Sequence, residues 1–490
     1  MRFSFLLQLT AWLGTYGARA VPLDVKGALT TTQWSPGSIL SFPNSDQFNT
    51  VTERWTIFDP PTYVAAISPA TESDVVKAVK VARDLNFPFL ATGGRHGYGT
   101  SLGKLDKGLA IDLSQLDSVR VDAKAGTLTV GGGTRFRQIV DPVYNAGFEI
   151  QTGSCSCPGM IGATLGAGVG RYQGLHGLVI DALLSVRLVT AKGDLIEVSA
   201  TSNPDLFWGI RGAGANFGVI TSATYKLTPL VNDGQVMNVD FIIPAELTER
   251  YFEALAQFDG VMPPELATIS LIHYNDTTNG TEILANWVYA GPEEDGRKVM
   301  QPIFDLNPPT AAVSMVPWNR LVTTAGFGLD PVFCEANVIR SIYTTNVRKL
   351  SAPTYRSMFE KMSEYFEQNP AGRGSSVELE IFPNQATVAV PDDETAYPWR
   401  DALGNMMFQF AWSDHGVADV SNALGRQLRS DFVATSGYDD ISAYVSYAHG
   451  DERIEEIYGA KKLQRLAALK KAWDPNNAFA YNNALPTQYP

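Results

Sequence analysis

The alternation of apolar and polar positions predicts regular structure early in the chain. The run from Tyr63 to Ser68 is mainly apolar, which is typical of a buried strand. Thr71 then stands as a capping residue with Asp74 three positions on, and apolar residues recur at helical spacing as far as Asn86. A second short apolar run at 87–91 predicts another strand. The pattern therefore indicates a βαβ-like opening.

Strand and helix patterns continue to alternate further along. Residues 110–116 and 127–130 alternate as strands do, and a helix is predicted over 136–144 after a run of glycines. Two strand-like runs, 185–190 and 195–199, are separated by a short turn and predict a hairpin. At 490 residues the chain is too long for one ordinary core. We therefore expect an α+β protein of two domains that share a cleft.

Glycine-rich loops interrupt these elements at 92–101, 153–170 and 211–221. Glycine lets the backbone come close to a ligand, and the free N–H groups of such a loop can hold a diphosphate. Glycine-rich turns also occur without any ligand, so the loops alone identify none.

The composition describes a globular protein and narrows its partners. Hydrophobic residues make up 45% of the chain and charged residues 18%, so a large core can form. The chain carries 38 Lys and Arg against 51 Asp and Glu, which gives a net charge of −13. A surface of this sign repels a phosphate backbone, and we expect no nucleic-acid partner.

The N-terminal residues 1–20 have the pattern of a secretory signal peptide: basic Arg2, an apolar stretch, and small residues at the cleavage spacing. The alternative is a buried N-terminal helix. No other segment approaches the apolar length that a membrane span needs, so we expect a secreted protein that begins near Val21. Sequons at Asn275 and Asn279 fit N-glycosylation of a surface loop, although such triplets also arise by chance.

The cysteines are Cys155, Cys157 and Cys334, too few for a disulfide framework, and their odd number leaves at least one thiol unpaired. No second Cys or His pair stands at ligand spacing, so we expect no metal site. An ordinary buried cysteine is the default interpretation of Cys334.

Three motifs and the C-terminal segment together resemble one family. They read GGRHGYGTS at 93–101, LVTAKGDLIE at 188–197, NPDLFWGIRGAGANFGVIT at 203–221, and a closing segment that includes WDPNNAF at 473–479. The sequence is similar to the berberine-bridge-enzyme-like family of FAD-linked oxidases, of the fungal secreted type. This family belongs to the vanillyl-alcohol-oxidase superfamily with its PCMH-type FAD-binding domain, and the match spans nearly the whole mature chain.

The resemblance implies a domain organisation. Residues 57–230 would form the PCMH-type FAD-binding domain in two subdomains. Residues 231–430 would form a substrate-binding domain, an antiparallel sheet covered by helices. The last segment, 431–490, would return to the flavin.

The resemblance also implies how FAD is held. His96 matches the histidine that bonds the flavin 8α carbon, whereas a lone histidine in a glycine loop would more often be a turn residue. Cys155 is the candidate for a second flavin bond, because it stands four residues before Gly159. Cys157 nearby and Pro158 depart from the family pattern, so a plain buried Cys155 remains the alternative. The other expected cofactor-binding residues are Thr92, Gly93, Gly94, Arg95, Gly97, Gly159, Gly162, Ala163, Gly166, Gly218, Ile220 and Asn482.

For catalysis the family takes a hydride from a carbon that bears a hydroxyl or amine, while a base takes the acidic proton. The resemblance points to Glu380 as that base, followed by Tyr444 and Gln409. Strand alternation puts Glu378 and Glu380 on one face, which could equally be a solvated face. Tyr444 begins a Tyr-x-Ser-Tyr run in which Ser446 replaces the usual Asn, so a packed strand aromatic is its alternative.

The function implied is an FAD-dependent oxidase that acts on an alcohol or related carbon of a small metabolite or saccharide. O2 would be the second substrate and H2O2 a product. The reaction could belong to fungal secondary metabolism. We expect the protein to be a monomer. Two alternatives stay open: a dehydrogenase that uses another acceptor, and a flavin-bearing protein that shapes its ligand without net redox turnover.

Overall fold

The computed structural model describes residues 22–490, so the predicted signal peptide lies outside the described residues. The described chain mixes helices with four sheets, and the α+β prediction is confirmed. No helix in this range is both long and apolar enough to cross a bilayer.

The first sheet has four strands in the order β1-β2-β4-β3. The strand β4 lies between β2 and β3 and is parallel to both, while β1 runs antiparallel at the edge. The predicted strand–helix–strand opening is present, but its two strands each pair with β4 rather than with each other. The elements are β1 (Ile39–Ser41), β2 (Tyr63–Ser68), β3 (Phe89–Thr92), β4 (Gly108–Asp112), α1 (Leu23–Thr31), α2 (Asp46–Thr52) and α3 (Glu72–Asp84).

The strand predicted over 110–116 is shorter than expected. It ends at Asp112, and Leu113–Gln115 turn as a short 3₁₀ helix. The reason lies in Asp112, a buried carboxylate that accepts hydrogen bonds from Arg95 at 2.7 Å and from Ser68 at 3.0 Å. The turn thus brings the end of β4 to the loop that follows β3.

The second sheet has five antiparallel strands in the order β5-β6-β10-β8-β9, and the predicted hairpin is its β8–β9 pair. A two-stranded sheet of β7 and β11 lies beside it. The strands are β5 (Val119–Asp122), β6 (Thr127–Gly131), β7 (Phe148–Glu149), β8 (Leu183–Val189), β9 (Leu195–Ser199), β10 (Val219–Lys226) and β11 (Thr228–Pro229). The helices are α4 (Phe136–Asn145), α5 (Met160–Gly166), α6 (Gln173–His176), α7 (Val179–Ala182) and α8 (Pro204–Ala213).

The third sheet has seven antiparallel strands in the order β15-β12-β14-β13-β17-β18-β16. They are β12 (Gln235–Ile243), β13 (Leu266–Asn275), β14 (Gly280–Tyr289), β15 (Thr310–Pro317), β16 (Ser341–Val347), β17 (Ser376–Ile381) and β18 (Gly404–Phe410). Its helices are α9 (Thr248–Ala256), α10 (Glu293–Val299), α11 (Gln301–Phe304), α12 (Trp318–Gly328), α13 (Asp330–Phe333), α14 (Ala352–Gln368), α15 (Gln385–Ala389) and α16 (Ala418–Val433).

The two faces of the seven-stranded sheet have different neighbours. On one face, strand side chains such as Trp287 and Phe408 pack with Phe252 of α9, Phe366 of α14 and Phe432 of α16 in one buried core. The opposite face is turned to the glycine-rich loops. The helices therefore bury one side of the sheet and leave the other for a ligand.

The chain ends against the first half of the molecule. The last helices are α17 (Ile454–Tyr458) and α18 (Ala460–Trp473). Buried Lys470 pairs with Asp474 at 2.7 Å and also donates to the carbonyls of Asn216 and Phe479. This anchor directs the final residues back to the interior, where Asn483 N donates to Ser101 Oγ.

Candidate active site

A cavity of about 330 Å³ lies between the glycine-rich loops and the seven-stranded sheet. The parts of the chain that line it include residues 54–55, the loop after β3, residues 153–171, the free face of the sheet, α12 and α13, and the segments 444–448 and 482–483. The cavity therefore lies where the two larger parts of the molecule meet, as a ligand site between domains commonly does.

The glycine loops meet backbone to backbone at the cavity wall. A Cβ on Gly94 would collide with the backbone of Gly159, and a Cβ on Gly93 would lie 2.7 Å from the carbonyl oxygen of Gly132. Arg95, which follows, has a φ of +58° and forms an ion pair with Asp112 at 2.7 Å. This left-handed turn is unusual for a residue with a side chain, and the ion pair holds it.

The turn presents His96 to the cavity. Its ring stacks on Trp55 with 4.2 Å between centroids, and within the described residues its Nε2 is buried without a hydrogen-bond partner. Burial, followed by the positive charges of Arg340, Arg135 and Arg54, lowers the pKa of His96 to about 3. The imidazole is therefore neutral, so that a ring nitrogen has a lone pair for bonding to carbon.

The three cysteines come together beside His96. Cys157 and Cys334 form a disulfide across 177 residues, which corrects the interpretation of Cys334 as an ordinary buried cysteine. Cys155 is the free thiol; its Sγ is 3.1 Å from Cys157 Sγ and within 4.8 Å of a ring nitrogen of His96. Burial raises the pKa of Cys155 to about 12. The disulfide takes Cys157 and Cys334 out of the thiolate form in which cysteine binds a metal.

Asp330 fixes the other side of the cysteine cluster. Its carboxylate accepts hydrogen bonds from Ser156 N at 2.8 Å and from Ser156 Oγ at 2.6 Å. The loop that carries Cys155 is thus tied to α13 by the carboxylate as well as by the disulfide.

The two carboxyl groups of β17 line the cavity together. Glu380 is fully buried, and its Oε1 accepts a 2.6 Å hydrogen bond from Ser154. Burial raises the pKa of Glu380, while Ser154, Tyr447 and Arg171 oppose that rise. Burial and the neighbouring Glu380 raise the pKa of Glu378 to about 8. The shared face predicted from alternation therefore borders the cavity. Within the pair, Ser154, Tyr447 and Arg171 favour the charged form of Glu380, whereas burial and Glu380 disfavour the charged form of Glu378.

Tyr444 and Gln409 also line the cavity, with their polar groups already engaged. Tyr444 Oη accepts from Gly168 N at 3.0 Å and donates to Ala163 O at 3.3 Å. Gln409 Nε2 donates to Ser376 Oγ at 3.5 Å. Tyr444 is held as a fixed part of the wall rather than as a free hydroxyl.

Sequence reasoning missed several residues of the cavity. Tyr447 lies beside Tyr444 with 4.8 Å between ring centroids, and burial followed by the charge of Glu380 raises its pKa well above the usual value. Its place in the Tyr-x-Ser-Tyr run was a signal that could have identified it. Trp55, Ser154 and Arg171 had no such signal, because only the fold brings them to the cavity.

The other predicted cofactor-binding residues divide into two groups. Those that line the cavity are Thr92, Gly93, Gly94, Arg95, Gly97, Gly159, Gly162, Ala163 and Asn482. Gly166, Gly218 and Ile220 do not line it, and their role stays a prediction. Gly166 abuts the side chain of Ser446, Gly218 abuts Leu188, and Ile220 pairs with Leu188 inside the second sheet.

The lining fits a flat group held by loops. A Cβ on Gly162 would meet no described atom within 4 Å, so the backbone there faces open space. Thr92 Oγ1, like His96 Nε2, is buried and has no partner in the described residues. A cofactor that fills this space would satisfy groups that the protein leaves unpaired.

The comparisons with known proteins agree with this site. A family model described as "FAD binding domain" matches residues 64–199, and one described as "Berberine and berberine like" matches residues 443–486. FAD-linked oxidoreductase fogF of Aspergillus ruber is 49% identical over 498 residues, with 100% of this chain and 99% of that protein covered.

Solved structures share the fold. The berberine-bridge-enzyme-like protein 1 of Physcomitrella patens has a TM-score of 0.83 at 22% identity, over 95% of this chain and 100% of that one. The glucooligosaccharide oxidase of Acremonium strictum has a TM-score of 0.78 at 22% identity, over 95% and 100%. That oxidase carries a 6-S-cysteinyl, 8α-N1-histidyl FAD.

Fold, site and similarity define an FAD-dependent oxidoreductase, and FAD as the cofactor is confirmed. The chain belongs to the berberine-bridge-enzyme-like family of FAD-linked oxidases, as its sequence motifs predicted.

Proposed function

We propose that the protein is an oxidase that takes a hydride from an alcohol or related carbon of a small metabolite or saccharide. O2 accepts the electrons, so that one alcohol and one O2 give one carbonyl compound and one H2O2. The observation that carries the proposal is the carboxyl pair of β17, with Glu380 fully buried, in the same cavity as the unpaired nitrogen of His96. A proton acceptor and a flavin anchor then share one site.

The flavin would be held covalently through His96 and also through Cys155. A neutral, unpaired imidazole within 4.8 Å of a free thiol supports this arrangement, and the Acremonium strictum enzyme carries FAD on a histidine and a cysteine. The disulfide supports Cys155 in particular, because it removes the other two sulfurs as competitors.

The residues around the carboxyl pair would move the substrate proton. FAD, when bound, would accept the hydride. Glu380, negatively charged and buried, takes the hydroxyl proton, and Ser154 keeps its carboxylate oriented at 2.6 Å. Glu378 stays protonated beside it and prevents two negative charges from meeting in the cavity. Tyr444, Tyr447 and Gln409 line the same cavity and would shield the reacting group from water.

The remaining expectations follow from the same resemblance. The FAD-binding domain would be residues 57–230, the substrate domain 231–430 and the returning segment 431–490. The protein would be secreted and monomeric. The sequons at Asn275 and Asn279 lie at the exposed turn between β13 and β14, which supports glycosylation there.

Acid denaturation of the purified protein, followed by mass mapping of its peptides, tests the attachment. We expect yellow colour to stay with the protein and flavin mass to map to His96 and Cys155. Free flavin in the supernatant would exclude covalent attachment.

Anaerobic mixing with alcohols and sugars then tests the reaction. We expect the flavin to bleach, and O2 to restore its colour with one H2O2 formed per substrate. Peroxide far below that ratio would indicate a dehydrogenase, and no bleaching by any substrate would favour a ligand-shaping protein without redox turnover.

A further inference from the structure

The cavity floor is a set of side chains arranged in rows by strand register. In an antiparallel sheet, directly paired residues point to the same face. One row is Leu284 of β14, Leu271 of β13, Glu378 of β17 and Met407 of β18. The carboxyl pair therefore occupies one strand, and apolar side chains flank it on both sides.

The neighbouring row adds one apolar side chain, on the β13 side of the carboxyl groups. It runs Asn286, Ile269 and Glu380, and all three line the cavity. Ile269, Leu271 and Leu284 thus form a continuous apolar area on β13 and β14, directly beside the carboxyl groups. We call these three residues the apolar floor.

A wall of the same character faces the apolar floor. Val322 and Ala325 of α12 and Phe333 of α13 line the cavity, and a Cβ on Gly326 would lie 3.7 Å from Leu284 Cδ2. We call Val322, Ala325 and Phe333 the apolar wall. Floor and wall meet at Leu284 and at Gly326, next to Ala325, and both line the cavity that also holds Glu380. We call the part of the cavity that they border the slot.

The apolar wall is fixed in place. Buried Asp240 accepts hydrogen bonds from Gly326 N at 2.8 Å and from Phe327 N at 3.1 Å. At the other end, Trp55 Nε1 donates to Phe333 O at 2.7 Å, and the disulfide follows at Cys334. A slot with fixed walls selects ligands by shape and hydrophobicity.

Asn286, the polar residue that pairs with Ile269 of the apolar floor, is already engaged. Asn286 donates to Asn238 and Asp240 and accepts from Arg171 at 3.0 Å, so both ends of its amide are used. Trp55, the one tryptophan among the described lining residues, contacts the His96 ring and the Arg340 guanidinium. Its ring is thus already used in packing. The side chains of the apolar floor and of Val322, Ala325 and Phe333 carry no hydrogen-bonding group for the hydroxyls of a sugar.

We infer that the substrate is an alcohol with an apolar alkyl or alkyl-aryl tail, and that the tail lies between the apolar floor and the apolar wall. The carbinol end then points to Glu380. This inference rests on the proposed function and narrows it, because it excludes oligosaccharides as the main substrate.

A homologous series tests the inference on the flavin-loaded wild-type protein. The alcohols are 4-alkylbenzyl alcohols from methyl to pentyl, with glucose and cellobiose as saccharides, and anaerobic flavin bleaching is the readout. Burial of each methylene contributes about 0.8 kcal/mol, so kcat/KM should rise about fourfold per carbon until the slot is filled. A flat series, or a saccharide with a higher kcat/KM than every alkyl alcohol, would overturn the inference.

A binding measurement separates this inference from the proposed function. The 4-alkylbenzamides carry the same tails and no oxidisable carbinol, and their binding is followed by the change in flavin absorbance. We expect the dissociation constant to fall about fourfold per methylene. If no alcohol bleaches the flavin, the proposed reaction is wrong, but the amide series still tests whether the slot binds an apolar tail. A dissociation constant that falls with tail length supports the inference, and one that does not change with tail length overturns it.

Variants locate the tail. Leu271→Asn should reduce the gain in affinity per methylene of the 4-alkylbenzamides to less than twofold. Val332→Asn is the control, because Val332 is an apolar residue next to Phe333 of the apolar wall but is 56% exposed and does not line the cavity. If Leu271→Asn fails to fold, Val322→Asn, at the wall, takes its place. Equal gains in the cavity variant and in the control would overturn the inference.

Discussion

The two sides of the cavity are built by different means. On the cofactor side, the glycine loops approach backbone to backbone, and each loop is a contiguous run of residues. On the side of the seven-stranded sheet, the floor consists of side chains that strand register collects from β13, β14, β17 and β18. The cofactor side thus depends on the absence of side chains at a few positions. The substrate side depends on which face of the sheet the strands present to the cavity.

A substitution at the loop contact should have the largest effect. Gly94→Ala places a Cβ against the backbone of Gly159, which has no flexible side chain that could move aside. We expect the free energy of unfolding to fall by several kcal/mol, as urea unfolding would measure. Little soluble flavoprotein should form, as the ratio of flavin to protein would show. Gly27→Ala in α1 is the control, because its Cβ meets no described atom within 4 Å. Normal flavin content in Gly94→Ala would contradict the backbone account of this side.

On the sheet side, Glu380→Gln should abolish chemistry without loss of the cofactor. Removal of a general base slows the reaction by about 10²–10⁴-fold, so we expect anaerobic flavin reduction to slow by that factor at unchanged flavin content. Glu282→Gln is the matched control, a buried carboxyl on β14 that does not line the cavity. Equal rates of flavin reduction in the two variants would show that Glu380 is not the catalytic base.

The disulfide connects the two sides, and its loss should have an intermediate effect. Cys157 lies in the glycine loop and Cys334 follows α13, 177 residues later. Because a crosslink over so long a loop restricts the unfolded chain, Cys334→Ser should lower the free energy of unfolding by about 2–5 kcal/mol. Urea unfolding measures it, and Cys155→Ser, which keeps the disulfide, should stay close to wild type. The reverse order of the two variants would mean that another pair of sulfurs is bonded.

The smallest expected change is that of the free energy of unfolding per pH unit. The pKa of Glu378 rises from its ordinary value near 4.5 to about 8 in the folded protein, because burial disfavours its charged form. The stability it contributes is therefore complete below pH 4.5 and is lost as pH rises toward 8, by at most about 1.4 kcal/mol per pH unit. In Glu378→Gln this contribution to the slope should be absent, as urea unfolding between pH 5 and 8 would measure. Parallel curves for variant and wild type would show that Glu378 is not a buried acid.

Local elements followed closely from the sequence. The helix predicted between Thr71 and Asn86 is α3, Glu72–Asp84, and the predicted hairpin is β8–β9. Such elements depend on periodicity and turns within a short window, which one sequence contains. The strand predicted over 110–116 was too long because Asp112 has to meet Arg95, a contact between different elements.

Part of the site was predicted as well, because some of its residues also stand in short contiguous motifs. His96 and the glycines stand in contiguous motifs, and Glu378 and Glu380 share a face by alternation alone. Alternation could not say whether that face meets solvent or the cavity, because the answer depends on the helices that cover the opposite side.

The sequence by itself determined the cofactor class, the glycine loops and the spacing of the two carboxyl groups, since each of these depends on neighbouring residues. Only the tertiary structure decided the Cys157–Cys334 pairing, the burial that raises the pKa of Glu378, and the apolar slot beside Glu380. Each of these depends on residues far apart in the chain, and their contacts form only when the sheets and loops pack together.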